Sequence, residues 1–204
     1  MIKSKTYKIF SILLSYPTEE LKKSVDDMTD ILKYDGLLSH QDIKFINNLI
    51  SFIKNNDLLY LQEYYVSIFD RKKDFSLYIF EHIHGDSRER GMAMVDLKDF
   101  YKKSDLSVLT NELPDYLPLF LEYMSLISEN EAKSLIGEIV NIIAILSRKL
   151  NIINSDYSYL FAIIEKLSDV KCDNNLVDKI ILKFDSSSQS DINVDDDWKE
   201  PKVF

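Results

Sequence analysis

Apolar residues recur along most of this chain at steps of three and four, the spacing that places side chains on one face of an α-helix. In residues 39–56, Ser39 stands at an N-cap position and the apolar residues behind it are in helical phase: Ile43, Ile46, Leu49, Ile50 and Ile53. After Asp57 the same spacing returns in Leu58, Leu61, Tyr65 and Phe69. No segment alternates as a half-buried strand does, so the pattern predicts an all-helical bundle.

Further helices are predicted toward both ends of the chain. The first apolar stretch is interrupted by Lys8 and lacks a small-residue cleavage site, so it predicts an amphipathic helix rather than a signal peptide. Thr18, which precedes two glutamates, predicts the start of a second helix. Residues 131–150 are apolar around most of the helix circumference, which predicts a central, buried helix. Within it, Gly137 is either a weak point or a place of close packing.

The folded part is predicted to end near residue 185. Residues 155–170 and 174–184 still have helical spacing, whereas the chain from Ser186 onward is polar and acidic without a period. We therefore predict one all-helical domain over residues 1–185 and a disordered acidic tail over residues 186–204. The apolar residues at the end of the tail either dock on a surface or belong to the disordered segment.

Composition narrows the class of protein. A chain of 204 residues is long enough for one domain with a sizeable core. Its net charge of -9 argues against a nucleic-acid partner, and no apolar run approaches the roughly 20 residues of a membrane span. The single cysteine, Cys172, cannot form an intramolecular disulfide and suits a reducing compartment. We predict a cytoplasmic protein that does not insert into a membrane.

The densest polar stretch, "EHIHGDSRERGMAMVDL" at residues 81–97, could hold a metal ion. On a helix, however, residues two apart point about 200° away from each other, so His82 and His84 could share an ion only on a strand. The flanking residues favour helices, with Gly85 at the C-cap of the first. The chain also lacks a P-loop, a Rossmann glycine pattern and a nucleophile elbow. We predict neither a cofactor nor an enzymatic activity; the alternative is a metal-dependent hydrolase using His82, His84 and nearby acids.

The arginines of this stretch lie at the start of a predicted helix. The helix would begin at Asp86 and run through residue 103, with three apolar residues facing inward: Met92, Val95 and Leu97. Arg88 and Arg90 would then occupy its first turn, where the helix dipole disfavours cations. Either they pair with nearby acids, such as Asp86, Glu89 and Asp96, or ion pairs across helices fix them so that they shape a groove.

A second irregular stretch, "ELPDYLPLFLEYM", spans residues 112–124. Pro114 and Pro118 prevent a helix from running through it. A new helix can begin at Asp115 or soon after, with Pro118 in its first turn. Its apolar face would be wide: Leu117, Leu119, Phe120 and Tyr123.

Four blocks of the chain together resemble the NarJ-type nitrate reductase assembly chaperones, which belong with the TorD- and DmsD-like molybdoenzyme chaperones. The blocks are "YYVSIFD" (64–70), "SLYIFEHIHGDSRERGMAMVDL" (76–97), "ELPDYLPLFLEYMSL" (112–126) and "DDWKEPKVF" (196–204). One departure is Tyr116, which stands where the family commonly has a histidine. A tyrosine does not titrate near neutral pH, so we expect no pH-dependent role of this position here.

The resemblance implies a cytoplasmic, all-helical protein that binds the N-terminal segment of the catalytic (alpha) subunit of respiratory nitrate reductase. It would keep that apo-subunit competent for insertion of the molybdenum cofactor and the iron–sulfur cluster before assembly at the membrane. Cofactor-delivery proteins are further candidate partners. An amphipathic client needs a groove with apolar walls and a few fixed polar groups.

The candidate groove residues come from the four blocks. The expected walls are Tyr65, Phe69, Leu117 and Phe120. The expected rim, or the scaffold behind it, comprises Asp70, Asp86, Arg88, Arg90, Glu112 and Asp115. The remaining candidates in the same stretches are His82, His84, Gly85, Pro114, Tyr116 and Pro118.

Overall fold

Ten α-helices account for most of the residues that the structure describes, and no β-strand occurs among these residues. The structure is a computed structural model. It describes residues 4–84, 88–102 and 112–194, and for His84 and residues 186–194 it describes the backbone alone. In chain order the helices are α1 (Lys5–Leu14), α2 (Glu19–Asp35), α3 (His40–Asn55), α4 (Leu58–Tyr65), α5 (Ile79–His84), α6 (Arg88–Lys102), α7 (Leu117–Met124), α8 (Glu129–Ile152), α9 (Ser158–Lys166) and α10 (Asn174–Val194). The predicted all-helical class is confirmed.

Local sequence signals determine where several helices begin. Ser39 and Asp42 form a capping box at the start of α3, in which each side chain accepts a hydrogen bond from the other residue's backbone N–H. The side chains of Thr18 and Asp57 likewise accept backbone N–H groups at the starts of α2 and α4. Such caps each contribute about 1 kcal/mol to stability. At the other end of α2, Gly36 adopts a left-handed conformation (φ 73°) that closes the helix.

The helices pack as a closed circuit around the core. α1 packs against α2 and α7, α2 against α3, α3 against α9, and α8 against both α9 and α7. α8 lies at the centre of these contacts and also carries α10 and α5 on its surface. All five apolar residues predicted for the face of α3 are buried. The buried residues of α8 surround most of its circumference, as the sequence predicted.

Gly137 is a point of close packing. A Cβ atom added at this position would lie 3.2 Å from Cγ2 of Val170 and 2.9 Å from Oδ1 of Asp169. The missing side chain therefore lets the segment that follows α9 come close to α8.

Two helical segments end differently from what the sequence pattern predicts. The helix begun at Asp57 continues past α4 as a π-helix (Val66–Asp70), in which the N–H of Arg71 donates to the carbonyl oxygen of Val66 over 3.1 Å. At the C-terminus, the backbone of α10 continues past Ser186 to Val194, and the rest of the predicted tail lies outside the described residues.

In the part of the chain that is described, no helix combines the length and the apolar character needed to cross a membrane.

The prediction that Met92 and Val95 face inward is wrong. Their exposed fractions are 66% and 60%. Leu97 does pack against the core, and Tyr101, one turn later, is fully buried. The phase of α6 is set by Arg90 and Tyr101, whose polar ends are bound to neighbouring elements, so Met92 and Val95 are turned to the outside.

Candidate functional site

The segment just before the polar stretch 81–97 meets the second irregular stretch, 112–124, in space. The N–H of Ile79 donates to the carbonyl oxygen of Asp115 over 2.9 Å, and the N–H of Leu117 donates to that of Leu77 over 2.8 Å. This short antiparallel bridge pairs Tyr78 with Tyr116. It fixes the segment before α5 against the segment before α7, so side chains from both segments surround the same space.

A cavity of about 180 Å³ opens beside this bridge. Its lining comes from α4, the π-helix and the two bridged segments, together with one aromatic residue that follows α1. The lining residues are Tyr16, Tyr65, Phe69, Asp70, Leu77, Tyr78, Glu112 and Tyr116. Five of these residues are candidate groove residues from the sequence. The π-helix matters here because its wider turn carries both Phe69 and Asp70.

The cavity continues into a shallower depression of about 280 Å³ on the α1–α7 side. The two spaces share Tyr16, Glu112 and Tyr116, and the depression adds Pro118 and Glu122 among its lining residues. We call the two spaces together the acidic groove. The name refers to its carboxylates Asp70, Glu112 and Glu122, of which Glu122 is paired with Lys8 of α1.

Charge repulsion is present in the acidic groove. Partial burial raises the pKa of the Asp70 carboxyl above its ordinary value, and the nearby Glu112 carboxylate raises it further. The Tyr78 hydroxyl donates to Oε2 of Glu112 over 3.1 Å, and burial together with this carboxylate raises the pKa of Tyr78 to about 12. A cation between these carboxylates would relieve the repulsion and favour the ionised form of Asp70.

The floor of the acidic groove is a pair of hydrogen-bonded tyrosines. The Tyr65 hydroxyl donates to the carbonyl oxygen of Leu14 at the end of α1, 3.0 Å away. Because a hydroxyl has a single hydrogen, the Tyr116 hydroxyl, also 3.0 Å from that of Tyr65, acts as the donor between the two. Burial raises the pKa of both tyrosines above the ordinary value, so both remain neutral donors at physiological pH.

Arg90 lies behind the groove and joins three segments. Its Nη1 is 3.2 Å from Oε1 of Glu81 on α5, and its Nη2 is 3.2 Å from Oδ2 of Asp115. The Asp115 side chain is fully buried and the Arg90 side chain is 12% exposed. Asp115 also accepts the backbone N–H of Phe80 over 3.2 Å. Of the two explanations that the sequence left open for Arg90, the ion pair across segments is therefore the correct one.

The other candidate residues occupy different places. Leu117 is buried in the core and lines neither space of the acidic groove. Phe120 lines a separate groove between α6 and α8. The carbonyl oxygen of Pro114 accepts the Tyr101 hydroxyl over 2.8 Å, and Arg88 is exposed on α6. The backbone of α5 ends at His84, while Gly85 and Asp86 lie outside the described residues.

His82 serves the fold in this structure. Its Nε2 lies 2.8 Å from the carbonyl oxygen of Ser76, which can only accept, so the neutral ring donates at Nε2. Within the described residues, no three His, Cys, Asp or Glu side chains are grouped so that they could hold a metal ion. The side chain of His84, the other histidine of the hydrolase alternative, lies outside the described residues.

His82 predicts a decline of stability at acidic pH. Burial lowers its pKa, and the Lys149 ammonium also lowers it, although the bond to Ser76 acts in the opposite direction. Below pH of about 6.5 the unfolded chain binds a proton that the folded chain refuses, so stability falls as pH drops through this value, by at most about 1.4 kcal/mol per pH unit. His82→Gln should flatten the dependence of the unfolding free energy on pH between 7.5 and 5.5, as measured by urea denaturation. The exposed His40 offers the matched control His40→Gln, and an equal flattening in the control would contradict the assignment.

The sequence reasoning missed three residues that line the 180 Å³ cavity of the acidic groove: Tyr16, Leu77 and Tyr78. Tyr16 is half-exposed after α1, and its ring packs edge-on against Tyr65 with centroids 5.6 Å apart. Its position directly before Pro17 marked the end of a helix but gave no sign of this contact. Tyr78 pairs with a residue 38 positions away, for which no local signal exists.

The fold has a counterpart among solved structures. A solved structure described as a putative redox enzyme maturation protein from Archaeoglobus fulgidus superposes with a TM-score of 0.57 at 20% sequence identity. The superposition covers 79% of this chain and 91% of that one. At this level of identity, the comparison establishes the shared architecture.

The chain belongs to the nitrate reductase delta subunit family, whose model matches residues 38–162. It is 34% identical over 197 residues to the nitrate reductase molybdenum cofactor assembly chaperone NarJ of Escherichia coli (strain K12), covering 96% of this chain and 82% of the relative. It is 33% identical to the probable assembly chaperone NarW of the same strain (96% and 81% coverage). A probable NarJ of Bacillus subtilis (strain 168) is 29% identical (78% and 85% coverage). The resemblance found in the sequence is confirmed, and these relatives support a chaperone role rather than an enzymatic one.

Proposed function

We propose that this protein is the dedicated assembly chaperone of a respiratory nitrate reductase. It binds the N-terminal segment of the catalytic (alpha) subunit in the cytoplasm. It holds the apo-subunit in a state that accepts the molybdenum cofactor and the iron–sulfur cluster before assembly at the membrane. The family membership supports the class of client, since the similar NarJ and NarW proteins are named as chaperones of nitrate reductase cofactor assembly.

The observation that carries the proposal is the acidic groove. Aromatic rings form its floor and walls, and carboxylates stand at its edge without a basic residue among its described lining side chains. Apolar side chains of a bound segment would pack against the rings of Tyr16 and Phe69, while a Lys or Arg side chain would lie between Asp70 and Glu112. The net charge of -9 would also speed the encounter with a basic segment at low salt.

Isothermal titration tests this function directly. A synthetic peptide with the sequence of the first residues of the alpha subunit is expected to bind saturably at one site, and a peptide of the same composition in scrambled order is expected not to bind. Pull-down of the full-length apo-subunit provides the second measurement, because a longer stretch could be needed for tight binding. If neither the peptide nor the full-length subunit binds, the proposed client is wrong.

A further inference from the structure

A second groove lies between α5, α6 and α8, and it shares no lining residue with the acidic groove. Its cavity volume is about 390 Å³. The apolar side chains that form most of its surface are Phe80, Leu97, Phe100, Phe120, Leu135 and Ile139. We call it the apolar groove. Four of these side chains, Phe80, Leu97, Phe100 and Leu135, are only partly buried although they pack against the core, so they offer apolar surface to a ligand.

The apolar groove has the dimensions of a helix-binding site. On α6 its wall runs from Ala93 through Leu97 to Phe100, and on α8 it includes Leu135 and Ile139. At 1.5 Å per residue, the wall on α6 extends for about 10 Å, which is two turns of a helix. A helix lying along it could insert side chains spaced at i, i+3 or i+4, and i+7.

Exposed apolar residues extend this surface beyond the cavity. Met92 on α6 and Ile83 on α5 are each more than half exposed. Met92 precedes the groove residue Asp96 by four positions, and Ile83 follows the groove residue Ile79 by four positions. Both therefore continue the faces that form the groove. Contiguous exposed apolar surface on a soluble protein is typical of an interaction site.

Charge narrows the kind of partner. Among the described residues that line the apolar groove, the charged ones are Asp96 on α6 and Glu138 on α8, so each wall carries one carboxylate. A wholly apolar partner would bury these carboxylates without compensation, which is costly. A helix that carries Lys or Arg beside its apolar stripe would pair with them instead.

We propose that the apolar groove is a second docking surface, which binds an amphipathic helix with basic residues flanking its apolar face. This site goes beyond the proposed binding of the client's N-terminal segment, which uses the acidic groove. Its two walls favour apolar side chains at helical spacing. The two carboxylates, Asp96 on one wall and Glu138 on the other, would orient the helix along the groove.

A defined probe tests the site without reference to the natural partner. The probe is a fluorescein-labelled 18-residue peptide of Leu and Lys arranged in helical phase. Its anisotropy titration with the full chain should give saturable binding, and the same residues in scrambled order should bind weakly. The groove variant Asp96→Lys/Glu138→Lys is expected to lower the affinity about tenfold, because two attractive charges become repulsive. The matched control Asp27→Lys/Glu63→Lys makes the same change of net charge at exposed positions elsewhere, on α2 and α4.

The location is checked by a photo-crosslinking amino acid at Met92, with Leu182 on α10 as a similarly exposed apolar control. Crosslinking of the probe from position 92 and not from 182 supports the proposal. Equal losses of affinity in both charge variants, or crosslinking of one copy of the chain to another from position 92, would overturn it. In every case the groove variant should still bind the N-terminal peptide of the alpha subunit, so failure of this site and failure of the proposed function give different results.

Discussion

Replacement of Arg90 by alanine is expected to lower the free energy of unfolding by about 3 kcal/mol. The substitution leaves the carboxylate of Asp115 buried without its cation, since this side chain is fully buried and Arg90 is 12% exposed. It also removes the link between Glu81 of α5 and the segment that precedes α7. The same segment contains Glu112 and Tyr116, so the affinity for the N-terminal peptide of the alpha subunit is expected to fall as well.

Urea denaturation and peptide titration separate the two effects. Arg88→Ala removes an equivalent charge from the exposed side of the same helical turn and should change stability by less than about 0.5 kcal/mol. The stability of Arg90→Lys should lie between those of the native chain and Arg90→Ala. One ammonium group cannot replace both Nη groups, which contact Glu81 and Asp115. If Arg90→Ala leaves both stability and peptide affinity unchanged, the ion pairs of Arg90 with Glu81 and Asp115 contribute neither to the fold nor to peptide binding.

A double-mutant cycle tests whether the buried carboxylate causes the loss. Asp115→Asn keeps an oxygen that can accept the N–H of Phe80 but removes the charge. In this background Arg90→Ala should therefore cost much less than it does in the native chain. An unchanged cost would indicate that packing of the Arg90 side chain, and not its charge, stabilises α6.

The double variant Asp70→Asn/Glu112→Gln is expected to weaken binding of a basic N-terminal peptide about tenfold. Both carboxylates lie at the edge of the acidic groove, where a Lys or Arg side chain would neutralise them. The variant should also be more stable to urea or unchanged, because it removes a partly buried charge and its repulsion by Glu112, which together raise the pKa of Asp70. Weaker binding without a loss of stability separates a contact role from a structural one.

Salt and pH provide two further readouts for this variant. In the native chain, affinity should fall with added salt and should fall as the pH drops toward the raised pKa of Asp70, because protonation removes the charge that attracts the peptide. Both dependences should be flatter in the variant. The control Asp27→Asn/Glu63→Gln removes two exposed charges elsewhere, and an equal loss of affinity in this control would mean that only the net charge matters.

The candidate site was partly predictable from the sequence. Residues 112–118 stood out through their prolines and residues 64–70 through the family resemblance, and five residues of these two stretches surround one cavity. The stretch 81–97 stood out through its clustered charges, but none of its described residues lines this cavity. Their contact with a client stays a prediction. Phe120, in contrast, belongs to the other groove, and Leu117 belongs to the core. Residues with the same chemistry and neighbouring positions can thus face different spaces, because the orientation of α7 decides between them.

The sequence by itself determined the helices and most of their beginnings. A cap such as Ser39 acts on backbone groups within three residues, and the apolar period of α3 is a property of one continuous segment. Both can therefore be recognised in a short stretch of sequence. Only the tertiary structure decided which segments meet, as at the bridge between Tyr78 and Tyr116, and which way α6 is turned. Its apolar pattern is weak, and the pairing of Arg90 with the distant Asp115 fixes its phase instead. Such contacts depend on the free energy of packing the whole bundle, to which no short stretch of sequence corresponds.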